Sequence, residues 1–363
     1  MKGLYIHIPF CKSKCKYCGF FSKSEYDDDL IEKYLNQVIN LIDKFDDFEF
    51  HTMYVGGGTP SVIPYKILDN FFSKLFKKIS PERIAEFTVE ANPESLSEDF
   101  LYVLKNYNVS RVSLGLQSMD DRVLKYLGRI HSREQSVIAV KNVRKILTDA
   151  ALNLDFMYDI PKVDESTILK SLKDIVKLNP EHISAYSYSF DTDFLSEKYE
   201  VQKTSYLKVK HFLERNNFKK YEISNFAKNG FESVHNKIYW TMQEYLGVGA
   251  AASSMILYNG KRVRFSFAKN IFSFINTPYI TDFEIVLDWG ELLKEDLIFG
   301  LRMLDGVNIK KVTDRYADKV ENFLEKCDKL FQENFLQIKG ENLCLTEKGE
   351  LFLDYVQQFL WEL

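Results

Sequence analysis

Short apolar runs alternate along this chain with longer segments whose apolar residues recur every three to four positions. The short runs are Leu4–Ile8, Thr52–Val55, Glu86–Glu90, Arg111–Leu116, Leu152–Met157 and His182–Ser187. They are rich in Val, Ile, Phe, Tyr and Thr, the composition of strands. Between them lie Asp28–Phe45, Ile63–Lys78, Ser97–Asn106, Arg133–Leu147 and Glu165–Leu178, whose spacing predicts amphipathic helices. Strand and helix in alternation predict parallel strands joined by helical crossovers. Six such units in succession predict a barrel or an open barrel.

The alternation stops near residue 230. A glycine-rich stretch, Tyr245-Leu246-Gly247-Val248-Gly249-Ala250, leads to a strand-like run at Lys261–Phe267. Helical patterns at Glu291–Leu304 and Ala317–Glu333 then precede a hairpin-like Leu336–Leu345 and a last helix, Glu347–Leu360. Helices followed by a hairpin resemble a small winged helix. The expected class is α/β: a partial six-unit barrel over 1–230, a connecting segment over 231–285 and a smaller C-terminal α+β module over 286–363. Polar and glycine motifs follow the second, third and fourth strands, at Gly56–Pro60, Ala91–Glu94 and Gln117-Ser118. Sites in such folds form at the C-terminal ends of strands, so the motifs point to one active face.

Composition narrows the class. The net charge of −4 lacks the basic excess of a nucleic-acid binder. No run approaches the ~18 apolar residues of a membrane span. The first residues are too short for a signal peptide, and cysteines follow at once, so a cytoplasmic location is expected. Five cysteines are present, three of them within eight residues. In a reducing compartment such a group reads as metal ligation or redox chemistry instead of a disulfide framework. Cys327 and Cys344 stand apart and read as buried structural residues.

The cysteine segment is His7-Ile8-Pro9-Phe10-Cys11-Lys12-Ser13-Lys14-Cys15-Lys16-Tyr17-Cys18, with spacing C-x3-C-x2-C. Three thiolates serve three irons of a [4Fe–4S] cubane and leave the fourth open to a chelating small molecule. A structural zinc site prefers four ligands in paired C-x2-C units, and no second pair exists in the sequence.

These residues resemble the radical SAM superfamily. The surrounding sequence resembles the branch of oxygen-independent coproporphyrinogen III oxidases and their relatives, the HemW-type haem chaperones, over nearly the whole chain. The resemblance implies a cluster on Cys11, Cys15 and Cys18 that presents S-adenosylmethionine (SAM) at its open iron. It implies that Gly57, Gly58 and Thr59, within Gly56-Gly57-Gly58-Thr59-Pro60, contact the amino and methionine portion of SAM. Glu90, Gln117, Arg129 and Asp155 match further SAM-binding positions in order. Arg129 suits the SAM carboxylate, Asp155 a ribose hydroxyl, and Glu90 the ammonium or the ribose. Tyr5 and Tyr17 are expected to flank the cluster and the adenine. A flavodoxin- or ferredoxin-type reductant is implied. One departure concerns the run after Asp155. The family pattern is Tyr-Gly-Leu-Pro-Gly, whereas this chain reads Tyr158-Asp159-Ile160-Pro161-Lys162, and a differently shaped loop is expected.

Within the branch, three features favour a haem chaperone over the oxidase. The oxidases carry a fourth cysteine where this chain has Phe20. They carry a long segment ahead of the first strand, whereas ten residues precede Cys11 here. The run His235-Asn236-Lys237-Ile238-Tyr239-Trp240 matches the HNxxYW motif of the chaperones, and the upstream Tyr221–Ala227 resembles them too. His235 is therefore the expected axial ligand of haem b, with aromatic packing beside it. His7, His51, His131, His182 and His211 stay open as ligands. Ala251-Ala252-Ser253 stands where the family commonly has Ala-His-Ser. The implied partners are haem, a haem-recipient respiratory protein and the reductant, with a peripheral membrane contact compatible. The alternatives are the oxidase, a radical enzyme with another substrate, and a binding module with a structural cluster.

Overall fold

A computed structural model of the chain describes every residue except 46–47, 189–197, 287 and 318; for 198–204 and 289 it describes the backbone alone. The six expected strands are present as β1 (Gly3–Ile8), β2 (Thr52–Gly57), β3 (Glu86–Ala91), β4 (Arg111–Gln117), β5 (Ala151–Tyr158) and β6 (His182–Ser187). Each pairs in parallel with the next. The crossovers are α1 (Asp28–Ile42), α2 (Tyr65–Leu75), α3 (Glu98–Asn106), α4 (Asp121–Leu127), α5 (Arg133–Ile146) and α6 (Glu165–Lys177). The short α4 has no counterpart in the sequence reading. It is capped by Asp120 and ends at Gly128, whose φ of 78° suits glycine. Asp27, Ser97, Ser132 and Asp164 likewise accept first-turn amide hydrogens and fix where α1, α3, α5 and α6 begin.

Alternation within the strands sorts the layers. Met53, Val55, Phe87, Val89, Val112, Leu114, Leu152, Leu154 and Ile183 face outward into one core with the helices. Their neighbours face the barrel axis and are polar: Tyr54, Thr88, Glu90, Arg111, Ser113, Asn153, Asp155, His182 and Ser184 border one internal space. A barrel interior is more often filled with branched apolar side chains. Here the axis is polar, so its groups must find partners or hold a ligand.

The sheet continues past the barrel. Beyond β6, α7 (Lys198–Arg215) leads to β7 (Lys219–Lys220) and β8 (Asn225–Ala227), which pair antiparallel at that edge. Residues 231–285, read from sequence as a connection, carry α8 (Val234–Trp240) and then β9 (Tyr245–Val248), β10 (Ser253–Tyr258), β11 (Lys261–Phe267), α9 (Ile271–Asn276) and most of β12 (Ile280–Val286). β9 pairs in parallel with β1, and β10 to β12 extend the sheet outward.

The C-terminal module contains α10 (Trp289–Gly300), β13 (Val307–Asn308), α11 (Ile309–Tyr316), α12 (Lys319–Lys326), α13 (Asp328–Gln332), β14 (Leu336–Lys339), β15 (Asn342–Leu345), α14 (Glu347–Leu351) and α15 (Leu353–Glu362). The expected helix over Ala317–Glu333 is thus two helices meeting at Cys327, apart from residue 318, which lies outside the described residues. The module has its own apolar core that includes Cys327, and Cys344 is buried beside it against the Asp305 backbone. Buried ions tie it to the sheet: Lys220 Nζ to Glu350 at 2.8 Å, and Arg262 to Glu295 at 2.7 Å and Asp296 at 2.6 Å. Among the described residues no helix is long and apolar enough to cross a membrane.

Candidate functional site

The C-terminal ends of β1 to β6 surround a cavity of about 430 Å³. The loop after β1 carries all three clustered cysteines into its wall. That loop is closed at its base, where Cys11 N donates to Lys23 O at 3.0 Å and Lys23 N to Pro9 O at 2.7 Å. The glycine loop after β2 lies against it. Gly58 N donates to Ile8 O at 2.7 Å and Thr59 N to Phe10 O at 2.8 Å. A Cβ on Gly58 would sit 2.7 Å from both of those carbonyl oxygens, and one on Gly57 would sit 2.3 Å from His7 Nδ1. The glycines are there because backbone must pass close to backbone and to a ring.

Cys11 Sγ lies 3.4 Å from Thr59 Oγ1, which also accepts from Asn92 Nδ2 at 3.0 Å. Cys15 Sγ accepts from Arg129 Nη1 at 3.5 Å. Burial raises the Cys11 and Cys18 thiols above the ordinary value, so without a metal they stay protonated. Among the described residues no group of three or more His, Cys, Asp or Glu converges to hold a single metal ion. The three cysteines border one cavity.

The charged residues border the same cavity, with Arg129 beside Cys15. Arg129 is buried, donates to Gly115 O at 2.8 Å and lies 3.6 Å from the Glu94 carboxylate. Glu94 also pairs with His131 Nδ1 at 3.1 Å. Glu90 accepts from Tyr54 Oη at 2.6 Å and from Gly57 N at 3.0 Å. Burial nonetheless pushes its carboxyl up to about 7. Asp155 accepts from Asn153 Nδ2 at 2.8 Å, and burial pushes it up to about 6. Gln117 sits at an irregularity in the β4–β5 register with a φ of 65°, a conformation that costs energy on a non-glycine residue. Its Oε1, and Nε of Arg129, are buried and have no partner among the described residues. Buried polar atoms left open around a cavity are what a polar ligand would satisfy.

Cys11, Cys15, Cys18, Tyr17, Gly57, Gly58, Thr59, Glu90, Gln117, Arg129 and Asp155 therefore all border one cavity. Tyr5 does not. It lies on β1 one inward step below His7, its hydroxyl 2.9 Å from His7 Nδ1 and its ring 6.1 Å from Tyr54. The cysteine loop begins beyond Ile8, out of its reach. Asn92, Ser113, Met157 and Tyr186 also border the cavity and were not singled out from sequence. For Ser113 and Tyr186 the available signal was strand alternation, since they share the inward side with Gly115 and Ser184. The loop after β5 keeps left-handed backbone without its glycines. Asp159 has a φ of 55° and Lys162 a φ of 64°, at the two positions where the family pattern has glycine. The expectation of a differently shaped loop is not met at those two residues.

His235 lies at the other end of the barrel. It is fully buried, its Nδ1 2.7 Å from Thr52 Oγ1 and its Nε2 2.7 Å from Tyr239 Oη, with its ring 5.3 Å from Tyr54. Burial drops its pKa to about 3. Both ring nitrogens are engaged, so this arrangement offers neither to an iron. Glu86 holds the histidine's helix in place: its carboxylate accepts from Ser233 Oγ at 2.9 Å, Val234 N at 2.9 Å and His235 N at 3.0 Å, and it pairs with Arg111. A carboxylate at a helix start satisfies amide donors and the helix dipole together. His182 is equally enclosed, between Asn153 Oδ1 at 2.6 Å and Tyr221 Oη at 2.9 Å.

Comparison with known proteins agrees with this layout. Residues 5–175 match the radical SAM superfamily, and residues 287–352 match the HemN C-terminal domain. The chain is 32% identical over 97% of its length to a haem chaperone HemW of Buchnera aphidicola, covering 96% of that protein. It is 32% identical over 97% of its length to that of Bacillus subtilis and 30% identical over 97% to that of Escherichia coli. Among solved structures, coproporphyrinogen III oxidase (HemN) of Escherichia coli shares the fold, with a TM-score of 0.83 at 20% identity over 99% of this chain and 89% of that one.

Proposed function

The chain belongs to the HemW haem-chaperone family, a branch of the radical SAM superfamily, and from that membership we propose that it binds haem and delivers it to recipient respiratory proteins. In this reading it also holds a [4Fe–4S] cluster and SAM. The observation that carries the cofactor assignment is the convergence of the three cysteines, the glycine loop and the open polar atoms of Gln117 and Arg129 on one cavity.

Cys11, Cys15 and Cys18 would hold three of the irons, each as a thiolate. Cluster binding therefore has to release the protons that burial keeps on Cys11 and Cys18. Arg129, already against Cys15, would meet the SAM carboxylate, and Gly57, Gly58 and Thr59 its amino end. Glu90 and Asp155 would take hydroxyl or ammonium hydrogens, and Gln117 and Tyr17 would line the remaining wall. When bound, the cluster and SAM together supply one-electron radical chemistry. The protein's own part is to orient SAM, exclude water and keep Glu90 and Asp155 in place as acceptors.

The division into barrel (1–230), segment (231–285) and C-terminal module (286–363) is part of the same reading. So are a cytoplasmic site of action, a flavodoxin- or ferredoxin-type reductant and a peripheral contact with the membrane of the recipient. Phe20 at the fourth-cysteine position favours the chaperone over coproporphyrinogen decarboxylation.

The deciding experiment is an anaerobic haem titration of the reconstituted protein, with coproporphyrinogen turnover assayed in parallel. Saturable haem binding without decarboxylation is expected. Turnover above a no-protein control, with no saturable haem binding, would reverse the assignment. Asp155→Ala is expected to weaken SAM binding by ~1–3 kcal/mol in calorimetry, the range for a lost buried hydrogen bond. Unchanged affinity would remove Asp155 from the site.

A further inference from the structure

With both nitrogens of His235 engaged, the haem site has to be sought elsewhere, and the rim of the cysteine-lined cavity has the matching chemistry. Three large apolar side chains stand exposed on it or beside residues that border it. Phe20 is 61% exposed and borders the cavity. Tyr126, 36% exposed, has its ring 6.4 Å from Tyr188, which borders the same cavity. Ile130, 53% exposed, directly follows Arg129. Exposed aromatic surface gathered at one opening marks a binding face, because isolated apolar residues, not groups of them, are the ordinary surface state.

Cations stand beside these rings. Lys14 borders the cavity, and Lys16 places Nζ 5.6 Å from the centre of the Tyr126 ring. Both are exposed. A third lysine of the tract, Lys12, is engaged with Glu94 O at 2.7 Å. Among the described residues Asp159 also stands near the rim, where its carboxylate accepts from Ser187 Oγ at 2.9 Å. Apolar rings with two exposed ammonium groups at their edge suit a flat aromatic molecule bearing two carboxylates.

We infer, on the haem-chaperone reading above, that haem lies across the mouth of the barrel on Phe20, Tyr126 and Ile130, with its propionates toward Lys14 and Lys16. The cavity beneath is committed in that reading to the cluster and SAM, so the macrocycle sits over the opening and covers it. The residue at the fourth-cysteine position then has a role of its own: Phe20 offers a ring where a thiol would offer a metal ligand.

The test is calorimetric titration of the reconstituted full-length protein with haemin, and separately with SAM. The variants are the double change Lys14→Glu with Lys16→Glu, and the single changes Phe20→Ser and Ile130→Asp. Each is expected to weaken haemin binding, the double lysine change by about 10-fold or more, the loss expected for two exposed ion pairs turned repulsive. SAM affinity and cluster iron content are expected to stay at wild-type levels in Ile130→Asp, whose side chain is exposed and does not border the cavity. Iron-free protoporphyrin, with the same rings and carboxylates, is expected to compete. Wild-type haemin affinity in all three variants would overturn the mouth site and leave the chaperone reading standing. Absence of saturable haemin binding in the wild type would overturn both.

Discussion

The two ends of the barrel are built from the same residue types and do different things with them. At the floor, both oxygens of Glu86 and both nitrogens of His182 and of His235 have partners, while Arg111 Nη1 and Thr88 Oγ1 are buried without one among the described residues. At the mouth, Glu90 and Asp155 are buried with no cation on their oxygens among the described residues, and Gln117 and Arg129 keep atoms open. Tyr54 joins the two layers, its hydroxyl on Glu90 and its ring beside His235. Both ends keep some polar atoms open, but those at the mouth face a cavity of about 430 Å³, large enough for a ligand, and those at the floor face one of about 50 Å³. A histidine in a motif associated with haem can thus belong to the floor, and carboxylates spaced like ordinary strand residues can belong to the mouth.

The largest expected effect separates the mouth from everything below it. Replacing any one of Cys11, Cys15 and Cys18 by Ala is expected to abolish cluster absorbance after reconstitution while leaving the unfolding midpoint of the apo chain nearly unchanged. A full [4Fe–4S] spectrum in all three variants would refute the ligand assignment.

Next comes a matched pair of carboxylates on one strand. Glu86→Ala strands Arg111 as a buried uncompensated charge and opens the start of α8, so it is expected to cost ~3–5 kcal/mol of stability. Glu90→Ala, two inward steps along β3, is expected to cost far less, because that group is itself held unfavourably by burial. Denaturant unfolding of the two apo variants measures the difference. Equal losses would erase the contrast between floor and mouth.

The two ends are also expected to respond to pH in opposite senses. At the mouth, Glu90 is raised from 4.5 to about 7 and Asp155 from 3.8 to about 6. The folded apo chain binds these protons more tightly than the unfolded chain, so this stability is present at low pH and is lost as pH rises through about 6 to 7. At the floor, His235 is lowered from 6.5 to about 3. That stability is present above 6.5 and is lost as pH falls toward 3. Urea midpoints across roughly pH 4 to 8 are expected to show both limbs. Glu90→Gln should flatten the neutral limb, and SAM should stabilise most where the carboxylates are ionised. A neutral limb unchanged by Glu90→Gln would rule out the mouth as its source.

The smallest effect concerns the rim. Lys162→Gly is expected to raise stability by ~1 kcal/mol, since glycine takes a φ of 64° without the steric cost that a side chain meets there. A loss of stability would mean that the Lys162 side chain makes contacts outweighing that strain.

The six strands and the main crossovers were legible because each carries its own periodicity and capping residue, as Asp27, Ser97, Ser132 and Asp164 illustrate. The breaks within the last helices were not, because an amphipathic stripe continues across Cys327 and Phe352 whether or not the backbone turns there. Of the added strands, β11 was legible as the run Lys261–Phe267, whereas β9, β10 and β12 were hidden. They are anchored on β1, where Gly3 pairs with Tyr245, and nothing local announces a parallel pairing across so long a stretch of chain.

The sequence by itself determined that the three cysteines share one loop and that the motifs after the strands meet at one end of the barrel. Spacing fixes which thiols lie within one short loop, and short motifs after consecutive strands must gather at one end of a parallel sheet. Tertiary structure alone decided which of the remaining polar residues were available. His235 and Glu90 look equally functional in the chain. Only the packing of α8 under β1 to β3 gives His235 two hydrogen-bond partners and excludes water, while the open end of the barrel leaves Glu90 facing a cavity. Availability depends on what approaches each atom from distant parts of the chain, and no local pattern encodes that.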